Sequence, residues 1–235
     1  FMCGRGSLNK VEKDLEKRFN ATFYSDDLER YNPLPTFNLA PTQWHPVITQ
    51  HDPQYFQYFK WGLIPSWSKD HKIGSKLINA RVEGLIEKPF FKSALKDRRC
   101  IIPLDGFYEW KVVANKIKKP YRIRFKDDSI FFVAGLYDQW KNEKAEIIHS
   151  FTIITQKPNP YLSSIHDRMP AILQREQESL WLDPLISLEQ SLQLITPLAG
   201  DYLDAYPVSD AVNQVKNNNA SLIEKLDESD SQSLF

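Results

Sequence analysis

The sequence predicts an α+β fold, with a mostly antiparallel, barrel-like β core and flanking helices. Three observations carry this expectation. Residues 100–108, 121–125, 130–137 and 149–155 are runs rich in β-branched and aromatic side chains. Short polar segments join them, such as Lys126-Asp127-Asp128 and Asn142-Glu143-Lys144. Connections this short impose antiparallel neighbours, because a parallel pair needs a crossover of a dozen or more residues. Helical patterns, in contrast, sit before and after this block. A chain of 235 residues with 42% hydrophobic content is long enough for one sizeable core.

Taken in order, the first element is a helix from Asn9 to near Asn20. Asn9 offers an N-cap with Glu12 three residues on, and Val11, Leu15 and Phe19 fall on one face. Three prolines between Tyr31 and Pro41 make that stretch extended and non-helical. A strand follows at 44–49. Pro89 opens a short helix to Lys96 that offers Phe90, Phe91, Ala94 and Leu95 to the core. After the β block, helices are expected at 175–182, stopping before Pro184, and at 188–195 behind a Ser187-x-x-Gln190 capping box. The organisation expected is one domain over 2–216. The asparagine run and acidic, serine-rich end at 217–235 read as a frayed or disordered tail.

Lys plus Arg and Asp plus Glu are 30 each, so overall charge does not single out nucleic acid as a partner. The charge is uneven, since residues 224–235 hold Glu224, Asp227, Glu228 and Asp230 against Lys225. A DNA site therefore has to be a local basic groove. Arg5, Arg81, the cluster at 96–99 and the run at 116–124 are candidates, although such runs more often make a solvated face. Only Cys3 and Cys100 are cysteines, without metal-type spacing, so neither a disulfide framework nor a metal or other cofactor is expected. With no signal sequence and no apolar run long enough for a bilayer, the expected location is cytoplasmic.

Met2-Cys3-Gly4-Arg5 is the segment with the most specific chemistry. Once the residues before it are removed, Cys3 carries a thiol of pKa about 8.5 and an α-amine of about 7.7–8.0 on adjacent carbons. That pair can close a five-membered thiazolidine on an aldehyde, whereas the thiol alone suits acyl transfer. Phe1, ahead of the methionine, reads as a remnant whose retention would lock the amine of Cys3 in a peptide bond.

Four more segments combine reactive polar residues with rigid or aromatic neighbours: Trp61-Gly62-Leu63-Ile64-Pro65-Ser66-Trp67, Asn79-Ala80-Arg81-Val82-Glu83, Asp105-Gly106-Phe107-Tyr108-Glu109-Trp110, and His166-Asp167-Arg168-Met169-Pro170. With Cys3-Gly4-Arg5, in this order, they resemble the SRAP family, named for SOS-response-associated peptidases. The segments at 37–42 and 206–209 look like further landmarks, and the match spans roughly 2–212.

The resemblance implies the SRAP fold and a sensor of abasic sites in single-stranded DNA, joined covalently to the ring-opened sugar through Cys3. Proton transfers in such a reaction need a positioned carboxyl and imidazole, for which Glu109 and His166 are the candidates. Tyr108 and Trp110 flank Glu109, so on a strand the Glu faces the other way. Asn79 is a neutral group able to orient the amine or the sugar. Trp61 and Trp67 bracket a proline-stiffened loop and are candidates for stacking on unpaired bases, with core packing as the alternative. Arg5, Arg81 and Arg168 are candidates for phosphates flanking the lesion, with structural pairing to Glu83 or Asp167 as theirs. Cys100 reads as a buried strand residue.

Two other functions share these residues. A non-catalytic single-stranded DNA binder would use the arginines and aromatics without Cys3. Class II glutamine amidotransferases also expose a leading Cys-Gly, but this chain has no room for a synthetase domain to use their ammonia. Peptidase chemistry makes sense if it is limited to the chain's own leading residues.

Overall fold

The computed structural model describes residues 3–31 and 33–226. In chain order the elements are β1 (Gly6–Leu8), α1 (Glu12–Phe19), β2 (Thr22–Phe23), α2 (Ser25–Arg30), β3 (Thr36–Leu39), β4 (Trp44–Thr49), β5 (Asp52–Trp61) and β6 (Asn79–Arg81). Then come α3 (Pro89–Asp97), β7 (Arg99–Leu104), β8 (Gly106–Val112), β9 (Lys118–Phe125), β10 (Phe131–Lys141) and β11 (Ile147–Gln156). The last are β12 (Met169–Pro170), β13 (Ile172–Leu173), α4 (Arg175–Leu182), α5 (Leu188–Gln193) and β14 (Leu203–Pro207).

Strands β5, β4, β7, β10 and β11 pair in that order through antiparallel ladders. A parallel contact between β11 and β5, Ser150 opposite Lys60 and Phe151 opposite Trp61, closes them into a five-stranded mixed barrel. Closure pairs the first and last strands of the barrel with each other. A second sheet of order β14-β9-β8-β1-β3 lies against the barrel. The two share a core of Phe59, Trp61 and Phe151 from the barrel and Leu39, Phe107, Ile123 and Leu203 from the sheet. A separate apolar layer joins the other face of the barrel strands to the helices, through Leu15, Ala94, Leu95 and Trp181. No helix among the described residues is long and apolar enough to cross a membrane.

The expected strand at 44–49 and the helices at 89–96 and 175–182 occur at or within a residue of their expected bounds, the first helix running on to Asp97. The capping box at Ser187 forms in both directions, at 3.1 and 2.8 Å. Three expectations need correction. Helix α1 starts at Glu12, not beside Asn9, because the Asn9 N–H is already taken by Asp105 at 2.6 Å and Asp14 caps Val11 instead. The run at 100–108 is two strands, since Asp105 breaks it and sends β8 into the other sheet.

The third correction concerns the expected tail. Residues 217–226 pack against the second sheet: Leu222 is fully buried with Tyr108, Tyr206 and Val212, and Asn218 accepts from the Phe37 N–H at 2.6 Å. Within the asparagine run, Asn218 bonds the backbone of β3 while Asn217 donates to the Ala211 carbonyl and Asn219 caps the following turn at Ser221. The acidic residues at 227–230 and the end of the chain lie outside the described residues.

Candidate active site

Asp105 builds the junction that brings the chain terminus to the site. Its carboxylate accepts from Ser7 Oγ at 2.7 Å, from the Asn9 N–H, and from Arg122 at 3.0 Å in a buried ion pair. At Gly106 a Cβ would lie 2.7 Å from the Arg122 guanidinium, so only glycine lets that side chain pass. The result is an antiparallel pairing of β1 with β8, Gly6 opposite Phe107, with the Tyr108 N–H donating to the Arg5 carbonyl at 3.0 Å. Continued toward the terminus, this register sets Gly4 opposite Glu109, with Cys3 the next residue along.

Glu109 does face away from Tyr108 and Trp110, whose rings join the apolar cluster on the other side of β8. Its Oε1 accepts from the backbone N–H of Cys3 at 2.7 Å. Its Oε2 lies 3.6 Å from His166 Nε2. Cys3 is 2% exposed and has a left-handed backbone at φ 41°, which a non-glycine residue rarely adopts. Burial pushes the Cys3 thiol well above its ordinary range, and the Glu109 carboxylate adds to the rise. Burial also raises the Glu109 carboxyl, against the lowering effect of His166 and of the hydrogen bonds from Cys3. The structure therefore holds a protonated thiol beside a carboxylate of increased basicity.

A cleft of about 810 Å³ opens over these groups, lined by Gly4, Arg5, Pro41, Glu109, Trp110 and His166 among others. Ser75 and Ile78 form one part of its wall, and Val112 and Lys118, opposite each other on β8 and β9, form another. Asn79 follows Ile78 directly, and begins β6 in parallel register with β11. Among the described residues no cluster of His, Cys, Asp and Glu is arranged to hold a metal ion.

The structure thus brings Cys3, Glu109 and His166 together and sets Asn79 next to a wall residue. It distributes the candidate DNA contacts differently. Trp61 is 1% exposed, stacked on Phe151 and donating to the Ile78 carbonyl at 3.0 Å, so its ring lies in the core and not on the surface. Trp67 is 65% exposed, its ring edge-on to Phe90. Arg81 is exposed at the end of β6 and, like Trp67, does not line the cleft. Arg168 is 7% exposed and makes a two-point pair with Glu83 at 2.7 and 2.9 Å, besides donating to the Thr155 carbonyl at 2.7 Å. Its alternative, pairing with Glu83, is the geometry present.

Arg5 lines the cleft, but its guanidinium donates to Asn38 at 2.7 Å and to the Val212 carbonyl at 2.5 Å and lies over the Trp110 ring. Partial burial lowers its pKa. The sequence singles out Lys118 only within the basic run at 116–124 and does not single out Trp110 as a contact. The two-residue period gives no signal for them, since Trp110, Val112 and its partner Lys118 alternate with Glu109 along the hairpin; they reach the cleft at its rim.

Comparison with known proteins places the chain in a family. The family model described as "SOS response associated peptidase (SRAP)" matches residues 2–215. The abasic site processing protein YoqW of Bacillus subtilis is 44% identical over 225 residues, covering 95% of this chain and 99% of the relative. The abasic site processing protein HMCES of Rattus norvegicus is 31% identical over 268 residues, covering 92% of this chain and 74% of that protein. Among solved structures, a protein from Bacteroides thetaiotaomicron superposes with a TM-score of 0.87 at 30% identity, covering 95% of this chain and 100% of the other. With a family match over nearly the whole chain, relatives aligned along most of their length and a shared fold, the chain belongs to the SRAP family.

Proposed function

We propose that this chain processes abasic sites in single-stranded DNA by joining Cys3 covalently to the ring-opened sugar. The observation that carries the reading is the 2.7 Å hydrogen bond from the Cys3 nitrogen to Glu109, with His166 on the second carboxylate oxygen, at the base of an open cleft. The names of the relatives at 44% and 31% identity, abasic site processing proteins, support the substrate class.

The nitrogen that Glu109 holds is the atom that becomes the α-amine once the preceding peptide bond is cut. A self-limited cleavage before Cys3 is the peptidase activity we assign: the thiol attacks the preceding carbonyl, the C–N bond breaks to leave a thioester and the free amine, and water hydrolyses the thioester to release the leading residues. The free amine then adds to the sugar aldehyde, and the carbinolamine loses water to give an imine. The thiol adds to the imine carbon while its proton passes to the imine nitrogen, closing a thiazolidine with one water released overall. Loss of the imine removes the group that promotes β-elimination, so the strand stays intact. Glu109 accepts a proton from the amine and the thiol in turn, and His166 exchanges protons with it. Asn79 orients the amine or the sugar. Trp67 and Arg81 are proposed to contact the strand outside the cleft, where exposed aromatic and cationic groups suit unpaired bases and phosphates.

Incubation with abasic and intact oligonucleotides followed by a denaturing gel tests the reading. A heat-stable adduct is expected on the abasic strand alone, and none with Cys3→Ala. An adduct that survives Cys3→Ala would overturn the thiazolidine, and binding without any adduct would leave a non-catalytic DNA binder. A terminal cysteine at the base of a cleft is hard to bring against a sugar stacked in a helix. The adduct is therefore expected to form at least about tenfold faster on single strands than on paired duplex. Equal rates on both would contradict the single-strand preference.

A further inference from the structure

Glu109 is enclosed, yet every step assigned to it exchanges a proton. Its side chain is 3% exposed, that of His166 is 21% and that of Asp167 is 83%. The three are adjacent: Glu109 Oε2 to His166 Nε2 is 3.6 Å, and His166 Nδ1 to Asp167 Oδ1 is 3.1 Å. They form a file from the enclosed site to solvent.

The Nδ1 atom of His166 has two neighbours with incompatible demands. The Arg168 backbone N–H donates to it at 3.2 Å, which requires a lone pair there and puts the ring proton on Nε2, toward Glu109. The Asp167 carboxylate has only lone pairs to offer and requires a proton on the same nitrogen. Neither partner excludes the other, because the two favour different states of the ring. The Arg168 N–H favours the neutral Nε2–H form, and Asp167 favours the forms carrying Nδ1–H.

We propose that Asp167 is the solvent end of a proton relay that passes through His166 to Glu109. In the inward direction, a proton from water enters at Nδ1 beside Asp167 and gives the imidazolium. The Nε2 proton then passes to the Glu109 carboxylate and leaves the neutral Nδ1–H form. In the outward direction, protonated Glu109 gives its proton to Nε2 and Nδ1–H is lost to water, which restores the Nε2–H form, so the inward and outward legs reset each other. No atom other than hydrogen moves. Arg168 holds the loop in register: its guanidinium is anchored by Glu83 and the Thr155 carbonyl, which fixes the backbone N–H that faces Nδ1. The other charged or titratable groups around the ring are Cys3 beside Glu109, Arg5 and Lys118 on the cleft walls, and Glu83, which Arg168 neutralises.

This inference rests on the crosslinking reading, and its test separates the two. Crosslinking rates on an abasic oligonucleotide are measured for the parent, Cys3→Ala, Asp167→Asn and Asp167→Glu, over a range of imidazole buffer concentrations at constant pH and ionic strength. Asp167→Asn is expected to slow the adduct about tenfold with DNA affinity unchanged. Rising imidazole should restore the rate, because a small buffer replaces a missing proton carrier, and Asp167→Glu should retain most of it. A merely structural role does not respond to buffer. An unaltered rate in Asp167→Asn, or a loss that imidazole does not restore, overturns the relay while the Cys3-dependent adduct stands. Absence of any Cys3-dependent adduct in the parent overturns both.

Discussion

Burial raises the Glu109 carboxyl above its ordinary range, while His166 and Cys3 draw it down again. A carboxyl raised by the fold adds stability below its unfolded pKa and loses that contribution as pH climbs through the folded value. At neutral pH the ionised Glu109 is therefore a cost to the fold that its chemistry requires. Glu109→Gln keeps an oxygen for the Cys3 N–H but cannot take a proton. It should lower the crosslinking rate by about 100-fold or more without lowering the Tm, both readable on one preparation. A lower Tm would mean that the charge supports the fold. In the parent, the acid limb of the rate profile should lie above the ordinary carboxylate range, and Glu109→Gln should abolish that limb.

The loop between β5 and β6 shows how an element holds a surface residue in place. Gly62 adopts φ 118°, a conformation L side chains rarely reach, and a Cβ there would lie 2.6 Å from the Gly74 carbonyl oxygen. The two glycines let the Trp61-to-Trp67 segment cross the turn at 71–76, which in turn positions Ser75 and Ile78 on the cleft wall. Gly62→Ala is expected to cost about 2 kcal/mol or more in urea unfolding. It should also weaken binding of single-stranded DNA, because both Trp67 and the wall shift. An alanine variant of parental stability would show that the loop relaxes freely. From sequence, this loop offered two tryptophans of equal appearance. One anchors the core through its indole N–H, and the other projects outward. Local pattern does not separate them, because the partner of Trp61 is the Ile78 carbonyl beyond the loop.

Across the whole molecule, closing the barrel places His45 of β4 in a fully buried position, its Nε2 2.7 Å from the Pro103 carbonyl. Burial lowers its pKa from 6.5 to about 4. The unfolded chain thus binds a proton that the native state excludes, and stability falls as pH drops from about 6.5 to about 4. The loss amounts to about 3 kcal/mol at most. Urea midpoints measured at pH 7 and pH 4.5 should differ more for the parent than for a folded His45→Gln variant. Equal differences would remove His45 as a source of acid sensitivity.

Strands with strong alternation, helices with caps and the antiparallel hairpins were legible in the sequence because their causes are local. So was the outward turn of Glu109 from Tyr108 and Trp110, which follows from the two-residue period. The sequence by itself therefore determined the fold class, the order of the β block and the chemical types at Cys3, Glu109 and His166. Only the tertiary structure decided how they meet. The Asp105–Arg122–Ser7 junction, the parallel closure of β11 on β5 and the packing of Leu222 behind β8 join residues far apart in the chain. Buried polar groups and apolar faces are satisfied by whichever partner the complete fold brings near, and that choice also gave Arg168 to Glu83, Trp61 to the core and Asp167 to His166.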